Sequence, residues 1–377
     1  MEDQTIVING RICQFQEGQT ILEVAGEYRI DIPTLCHLKN TRPTTHCQVC
    51  RVEVQGREAL AEACATKAEA GMVIQTESLK VIRARKDRIA ALLSMGNHNC
   101  AIREFDTSDW TAFQMDVMAA DQKEDLCPAW GDCELQDLAY RYQVKTKQQD
   151  KSPCPYETER ANPFIIRDFS RCILCGRCVK ACREIQVNDA IEFGYPDADT
   201  KIIARDDLAL KDSDCVFCGE CVQVCPVGAL VPDREFRDNR FKPTEKIRST
   251  CSFCGVGCQV DIFVQDNQIV KIDGADRDLP PNNGSLCVKG RYGFDFVGSD
   301  LRLTTPLIKK DGKQVQATCD EALDLVAEKL GRIKKEHGPD SMGVLTSARV
   351  TNEDNYIAQK FCRGVLKTNN IDHCARL

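Results

Sequence analysis

The sequence predicts an α+β chain of several domains, and three observations carry that reading. Two short alternating runs flank Asn9-Gly10 and lead into a helix start, cysteines gather in separate groups up to residue 287, and strand and helix patterns alternate from residue 303 onward. With 377 residues and 42% hydrophobic content, several domains can each bury a core. The outlying quantity is 24 cysteines. Disulfide scaffolds are short and secreted, whereas MEDQTIVING is acidic and polar and lacks the basic start and apolar segment of a leader. No run approaches the length of a membrane span. The reading is a cytoplasmic chain whose thiolates bind metal. A net charge of -7 argues against a nucleic-acid partner, which needs a basic face, and favours small anions or protein partners.

Residues 1–80 read as a β-grasp domain. TIVI and RICQF flank Asn9-Gly10, a strong hairpin signal, and Thr20 with Glu23 forms a capping box that starts a short helix. Cys36, Cys47, Cys50 and Cys64 follow with the spacing C-x10-C-x2-C-x13-C. A loop cysteine, a CxxC pair and a distant fourth thiolate suit a 2Fe-2S cluster, in which two tetrahedral irons share four protein sulfurs. A zinc site is the alternative. Residues 81–150 are predicted mostly helical from SLKVIRARKDRIAALLSMG, after which come His98, Cys100, Cys127 and Cys133. Three cysteines and a histidine can hold a 4Fe-4S cluster; a structural histidine is the competing reading of His98.

Residues 160–235 carry an internal repeat: CILCGRCVKAC (Cys172, Cys175, Cys178, Cys182) and CVFCGECVQVCP (Cys215, Cys218, Cys221, Cys225), both C-x2-C-x2-C-x3-C. This is the two-cluster bacterial ferredoxin pattern, in which the fourth cysteine of each run ligates the other cluster. It groups Cys172, Cys175 and Cys178 with Cys225, and Cys215, Cys218 and Cys221 with Cys182. A glycine after the second cysteine of each run lets the backbone wrap close to sulfur. Residues 246–302 give Cys251, Cys254, Cys258 and Cys287, with a predicted hairpin around Asp266-Asn267 that returns the chain to the fourth cysteine. Cys13, Cys154, Cys319, Cys362 and Cys374 remain, read as buried structural thiols.

At CPAWGDCELQ the chain resembles the N-terminal electron-input module shared by the large subunit of respiratory complex I, iron-only hydrogenases and multi-cluster formate dehydrogenases. Those families use H-x3-C-x2-C-x5-C followed by Leu-Gln. The end of that motif is present here, but His98 stands two residues before Cys100, and 26 residues, including Trp110, Met115 and Met118, separate Cys100 from Cys127. CSFCGVGC and CVKGR resemble the 4Fe-4S entry domain of molybdopterin oxidoreductases, especially the formate dehydrogenase branch. That resemblance implies a role for Lys289 between cluster and pterin, an ordinary surface lysine being the alternative. It also makes residues 303–377 the start of an α/β molybdopterin-binding domain, with Met342–Ser347 as a buried strand, a helix over 352–366 and no sheet after it.

The cofactors implied are one 2Fe-2S cluster, four 4Fe-4S clusters and, in the full-length protein, molybdenum or tungsten held by two pyranopterin guanine dinucleotides. The implied activity is that of a formate dehydrogenase catalytic subunit, exchanging electrons with a NAD-reducing flavoprotein, a ferredoxin or a hydrogenase module. The alternative is a non-catalytic multi-cluster electron-transfer subunit of a hydrogenase or NADH dehydrogenase complex. In the resembling enzymes the stretch matching TNNIDHCARL precedes the metal's own ligand, a selenocysteine or cysteine. No catalytic residue is therefore expected within the chain, the ligand is expected just after Leu377, and the 377-residue chain alone is expected to be inactive. A UGA codon read as a stop would end the chain there; a natural or engineered truncation is the other explanation.

Overall fold

A computed structural model describes residues 4–96, 98, 129, 132–144, 156–233 and 244–375. The chain divides into two compact units, Met1–Pro243 and Thr244–Leu377. The first opens with β1 (Thr5–Ile8) and β2 (Arg11–Gln14), an antiparallel hairpin in register Ile8↔Arg11. Asn9 and Gly10 both take positive φ, 52° and 82°, the turn geometry whose twist matches that of the flanking strands. The Asn9 side chain ties this turn across the sheet: its amide donates to Thr76 Oγ1 and its oxygen accepts from Thr76 N, both at 2.8 Å. The capping box forms as read, with Glu23 N donating to Thr20 Oγ1 at 3.2 Å and Thr20 N donating to Glu23 Oε2 at 2.7 Å. It starts α1 (Ile21–Glu27), which buries Ile21, Val24 and Ala25.

The sheet is completed by β3 (Arg51–Val54), β4 (Ala61–Glu62) and β5 (Val73–Gln75), in the order β2-β1-β5-β3-β4. Only β1 and β5 run parallel; the other pairs are antiparallel. Strand alternation sends Ile6, Ile8, Val52, Val54 and Ile74 into one core with α1, each buried side chain contributing roughly 1.5–3 kcal/mol. Next, α2 (Leu79–Ser94) buries Val81, Arg85, Ile89, Leu92 and Leu93, a stripe at helical spacing with one arginine inside it. It packs beside α3 (Glu134–Arg141), which supplies Leu135, Leu138 and Ala139 to the same core.

Two short pairs frame the cysteine repeat. In chain order its elements are β6 (Ile165–Arg167), α4 (Arg177–Lys180), β7 (Ile191–Gly194), β8 (Lys201–Ala204), α5 (Glu220–Gln223) and β9 (Leu230–Pro232), with β6 pairing β9 and β7 pairing β8. The sequence repeat is also a backbone repeat. Leu174 and Gly176 have φ of 52° and 75°, and Phe217 and Gly219 have 55° and 73°.

The second unit begins with an antiparallel sheet of β10 (Glu245–Thr250), β11 (Gln259–Gln265) and β12 (Gln268–Gly274), turning at Asp266 and Asn267 as the sequence predicts. At the end of β12 a Cβ on Gly274 would lie 1.8 Å from the Gly284 carbonyl oxygen, so the two backbones touch. α6 (Val288–Tyr292) follows, held by buried Arg291, which reaches Asp273 at 2.9 Å. Beyond it come β13 (Leu307–Lys310), β14 (Lys313–Gln316), α7 (Cys319–His337), β15 (Val344–Thr346), α8 (Asn352–Phe361) and β16 (Ile371–His373).

Two expectations change here. A strand does follow the last helix, since β16 pairs parallel with β15 in register Val344↔Ile371. Its Ile-Asp-His sequence is too short and polar to show strand periodicity. In addition, β15 is not buried. Leu345 is 89% exposed, because a two-stranded sheet has too little surface to cover both its faces. Among the described residues, no helix is long and apolar enough to cross a membrane.

Candidate metal centres

Cys36, Cys47, Cys50 and Cys64 come together in the first unit, all nearly inaccessible. Cys50 Sγ donates to Cys64 Sγ at 3.4 Å. The hydrogen bond from Cys47 is the largest influence holding the Cys36 thiol down to about 5, aided by the Cys47 backbone amide and the Lys180 charge and opposed by burial. The donors of both pairs, Cys47 and Cys50, are pushed up by those same hydrogen bonds and by burial. Two hydrogen-bonded thiol pairs, in each of which the accepting thiol, Cys36 or Cys64, is held below the ordinary thiol value by its partner's hydrogen bond, form a donor set suited to iron, whose charge stabilises the remaining thiolates.

The eight cysteines of the repeat line a single apolar-walled cavity. Within it Cys175 has Cys225 and Cys172 as charge neighbours, and Cys215 has Cys218 and Cys182. Burial pushes Cys175 up to about 12 and Cys178 well above the ordinary thiol value. Such thiols ionise only against a cation held among them. The backbone repeat aims amides at sulfur in both halves, Leu174 N donating to Cys172 Sγ and Phe217 N to Cys215 Sγ, each at 3.4 Å.

His98 is buried just past α2, its backbone amide donating to Gly96 O at 2.9 Å. Cys133 caps α3, its sulfur accepting from Gln136 N at 3.4 Å, and shares a core with Leu92 and Leu93 of α2. Cys100 and Cys127, the other two members of this group, lie outside the described residues. Cys36, Cys47, Cys133 and Cys175 belong to that same hydrophobic core, with Cys172 and Cys225 packed against it. Three of the cysteine groups thus meet in one water-poor region.

In the second unit, Cys251 N donates to Cys258 O at 2.8 Å. Burial raises the Cys258 thiol, and the neighbouring thiols of Cys251, Cys254 and Cys287 add to the rise. The four therefore form one group, and Cys287 is its most exposed member. Lys289 is exposed and makes no side-chain hydrogen bond or ion pair among the described residues. Of the remaining cysteines, Cys13 and Cys362 are buried as expected, and Cys154 lies outside the described residues. Cys319 and Cys374 are instead exposed, at the first turn of α7 and in the turn after β16, where nothing covers them among the described residues.

Sequence reasoning missed a cleft of about 700 Å³ in this unit, walled by Cys254, Gly255, Thr346, Asn352, Arg363 and His373 among others. It opens at the carboxyl ends of β15 and β16, where α/β sheets bind ligands. Asn352, at the start of α8, donates to Gly255 O at 2.7 Å, and Asn355 bonds Thr346 and Ser347. The available signal was Thr351 with Asp354, a helix cap directly after a strand. Polar donors, an arginine and a helix N-terminus suit a cofactor with anionic phosphates, so the residues present fit a pyranopterin dinucleotide.

Four family models match in series. A 2Fe-2S iron-sulfur cluster binding domain covers 3–78, a 4Fe-4S dicluster domain 171–229, a molybdopterin oxidoreductase Fe4S4 domain 244–299, and a molybdopterin oxidoreductase model 302–377. A Bacillus subtilis protein named "Putative formate dehydrogenase YrhE" is 32% identical over 99% of this chain and 40% of its own length. A Staphylococcus aureus protein named "Putative formate dehydrogenase SAUSA300_2258" is 29% identical over 100% of this chain and 39% of its own. The chain thus spans about 40% of the length of these curated relatives. A solved NAD+-reducing [NiFe]-hydrogenase chain is similar with a TM-score of 0.51 and 27% identity, over 61% of this chain and 87% of that one. Residues 244–299 and 302–377 are thus similar in succession to the Fe4S4 domain and the following domain of molybdopterin oxidoreductases, and a 2Fe-2S domain and a 4Fe-4S dicluster domain precede them.

Proposed function

We propose that this chain is the electron relay of a cytoplasmic formate dehydrogenase catalytic subunit, and that it forms part of the pocket for that enzyme's cofactor. The observation that carries the reading is the position of Cys254, a member of a four-thiol group that also walls the cleft at the carboxyl ends of β15 and β16. When bound, a molybdenum or tungsten bis(pyranopterin guanine dinucleotide) supplies the exchange of two electrons and a proton between formate and carbon dioxide. The chain's own residues hold and insulate the route for the electrons. Cys36, Cys47, Cys50 and Cys64 hold a 2Fe-2S cluster in a β-grasp domain. His98, Cys100, Cys127 and Cys133 hold a 4Fe-4S cluster, the eight repeat cysteines hold two more in the crossed grouping, and Cys251, Cys254, Cys258 and Cys287 hold the last. The resemblance of CVKGR to the formate dehydrogenase branch gives Lys289 a role between that last cluster and the cofactor.

The hydrogenase likeness favours one alternative, a multi-cluster electron-transfer subunit serving a hydrogenase or NADH dehydrogenase complex. It also supports a partner subunit of that kind, or a flavoprotein or ferredoxin, for the enzyme reading. The two readings separate on the electron donor. Anaerobic formate added to the complete, cofactor-loaded protein should reduce its clusters, as seen by electron paramagnetic resonance. Reduction by hydrogen or NADH with its partner complex, but never by formate, would replace the first reading with the second.

A further inference from the structure

Lys180 is the last residue of α4, between Cys178 and Cys182, yet its side chain leaves the cysteine repeat. It is 5% exposed, and its ammonium donates to the carbonyl of Cys36 at 2.7 Å and to that of Arg42 at 3.4 Å. Among the described residues no carboxylate lies within ion-pair distance of it. Its neighbour Arg177, also buried, shows the ordinary arrangement: both of its terminal nitrogens meet the Glu134 carboxylate, one at 2.9 Å. A buried ammonium satisfied only by carbonyl dipoles is costly unless negative charge stands nearby. The negative charges that act favourably on Lys180 are those of the Cys36 and Cys175 thiolates first and, after them, the Glu184 carboxylate, which stands beyond ion-pair distance.

We propose that Lys180 is a charge-tuning residue shared between the 2Fe-2S site and the cysteine repeat, its buried ammonium raising the midpoint potential of the 2Fe-2S centre. The inference rests on reading Cys36, Cys47, Cys50 and Cys64 as that centre. Reduction adds one electron and one unit of negative charge to a cluster. A fixed cation beside a ligand therefore favours the reduced state, net charge and burial being among the factors that set these potentials. Lys180 positions and tunes; it exchanges no electron itself.

The test is a dithionite titration of the anaerobically reconstituted full chain, followed by electron paramagnetic resonance, in wild type and in Lys180→Met, Lys180→Gln and Lys180→Arg. The neutral variants should make the 2Fe-2S centre about tenfold harder to reduce, a fall of about 59 mV for a one-electron couple. Lys180→Arg should restore the wild-type value. Lys180→Gln keeps a donor for the Cys36 carbonyl, so it carries the test if Lys180→Met fails to hold the cluster. Cluster loss in both neutral variants with retention at the wild-type potential in Lys180→Arg also supports a role for the charge. An unchanged midpoint in a cluster-replete neutral variant overturns the proposal, as does an equal fall in Lys180→Arg or loss of the cluster in all three. Absence of any 2Fe-2S signal in the wild-type chain would instead overturn the reading of the site itself.

Discussion

Arg85→Met should destabilise the first unit substantially, because this arginine joins three segments around Cys50. Its side chain is wholly buried in the apolar stripe of α2. Nε donates to Val49 O at 2.9 Å and Nη2 to Arg51 O at 3.0 Å, gripping the chain on either side of Cys50. Nη1 donates at 2.7 Å to both the Tyr142 hydroxyl and Glu77 Oε1. Glu77 is 41% exposed, so solvent screening leaves that ion pair little weight. Methionine would fill most of the methylene volume but leave the two carbonyls without donors, at about 1–3 kcal/mol each. The expected loss is about 4 kcal/mol, and with a urea slope of about 3 kcal/mol per molar the midpoint should fall by about 1.3 M. The assay is urea unfolding of the cluster-loaded chain, followed by far-ultraviolet and visible circular dichroism. A midpoint shift under about 0.3 M would refute the reasoning, because relief of guanidinium desolvation would then offset the lost hydrogen bonds.

Cys225→Ser should perturb the electron paramagnetic resonance signal of the cluster held by Cys172, Cys175 and Cys178, and Cys182→Ser that of its partner; perturbation in the uncrossed sense would reverse the ligand grouping. His98→Cys should lower the midpoint of one 4Fe-4S cluster, since a thiolate in place of a neutral imidazole makes the cluster more negative; five unchanged midpoints would remove His98 from the ligands. Gly274→Ala drives a Cβ to 1.8 Å from the Gly284 carbonyl oxygen, a backbone clash worth at least about 3 kcal/mol. It should abolish the cluster of Cys251, Cys254, Cys258 and Cys287 and spare those of the first unit, as counted from reduced-state spin signals.

What was legible in the sequence was local. The turn at Asn9-Gly10, the Thr20–Glu23 cap and the repeated Cys-Gly spacing each encode a backbone shape within a few residues, and each appears in the fold. Residues whose roles depend on distant partners were not legible. Lys180 reads as one more helix lysine until its ammonium is found against Cys36, 144 positions away in the chain. Arg85 interrupts a hydrophobic stripe, a local oddity whose explanation lies in Val49, Arg51 and Tyr142. The cleft beside Cys254 arises only where a loop, two strand ends and a helix start converge.

The central claim, that these cysteine groups hold an iron-sulfur relay, is tested most directly by metal and sulfide analysis of the anaerobically reconstituted chain together with spin quantitation of its reduced signals. One 2Fe-2S and four 4Fe-4S clusters require about 18 irons per chain, about as many acid-labile sulfides, and a 2Fe-2S signal distinct from the others. Stoichiometric zinc with little acid-labile sulfide would contradict the account.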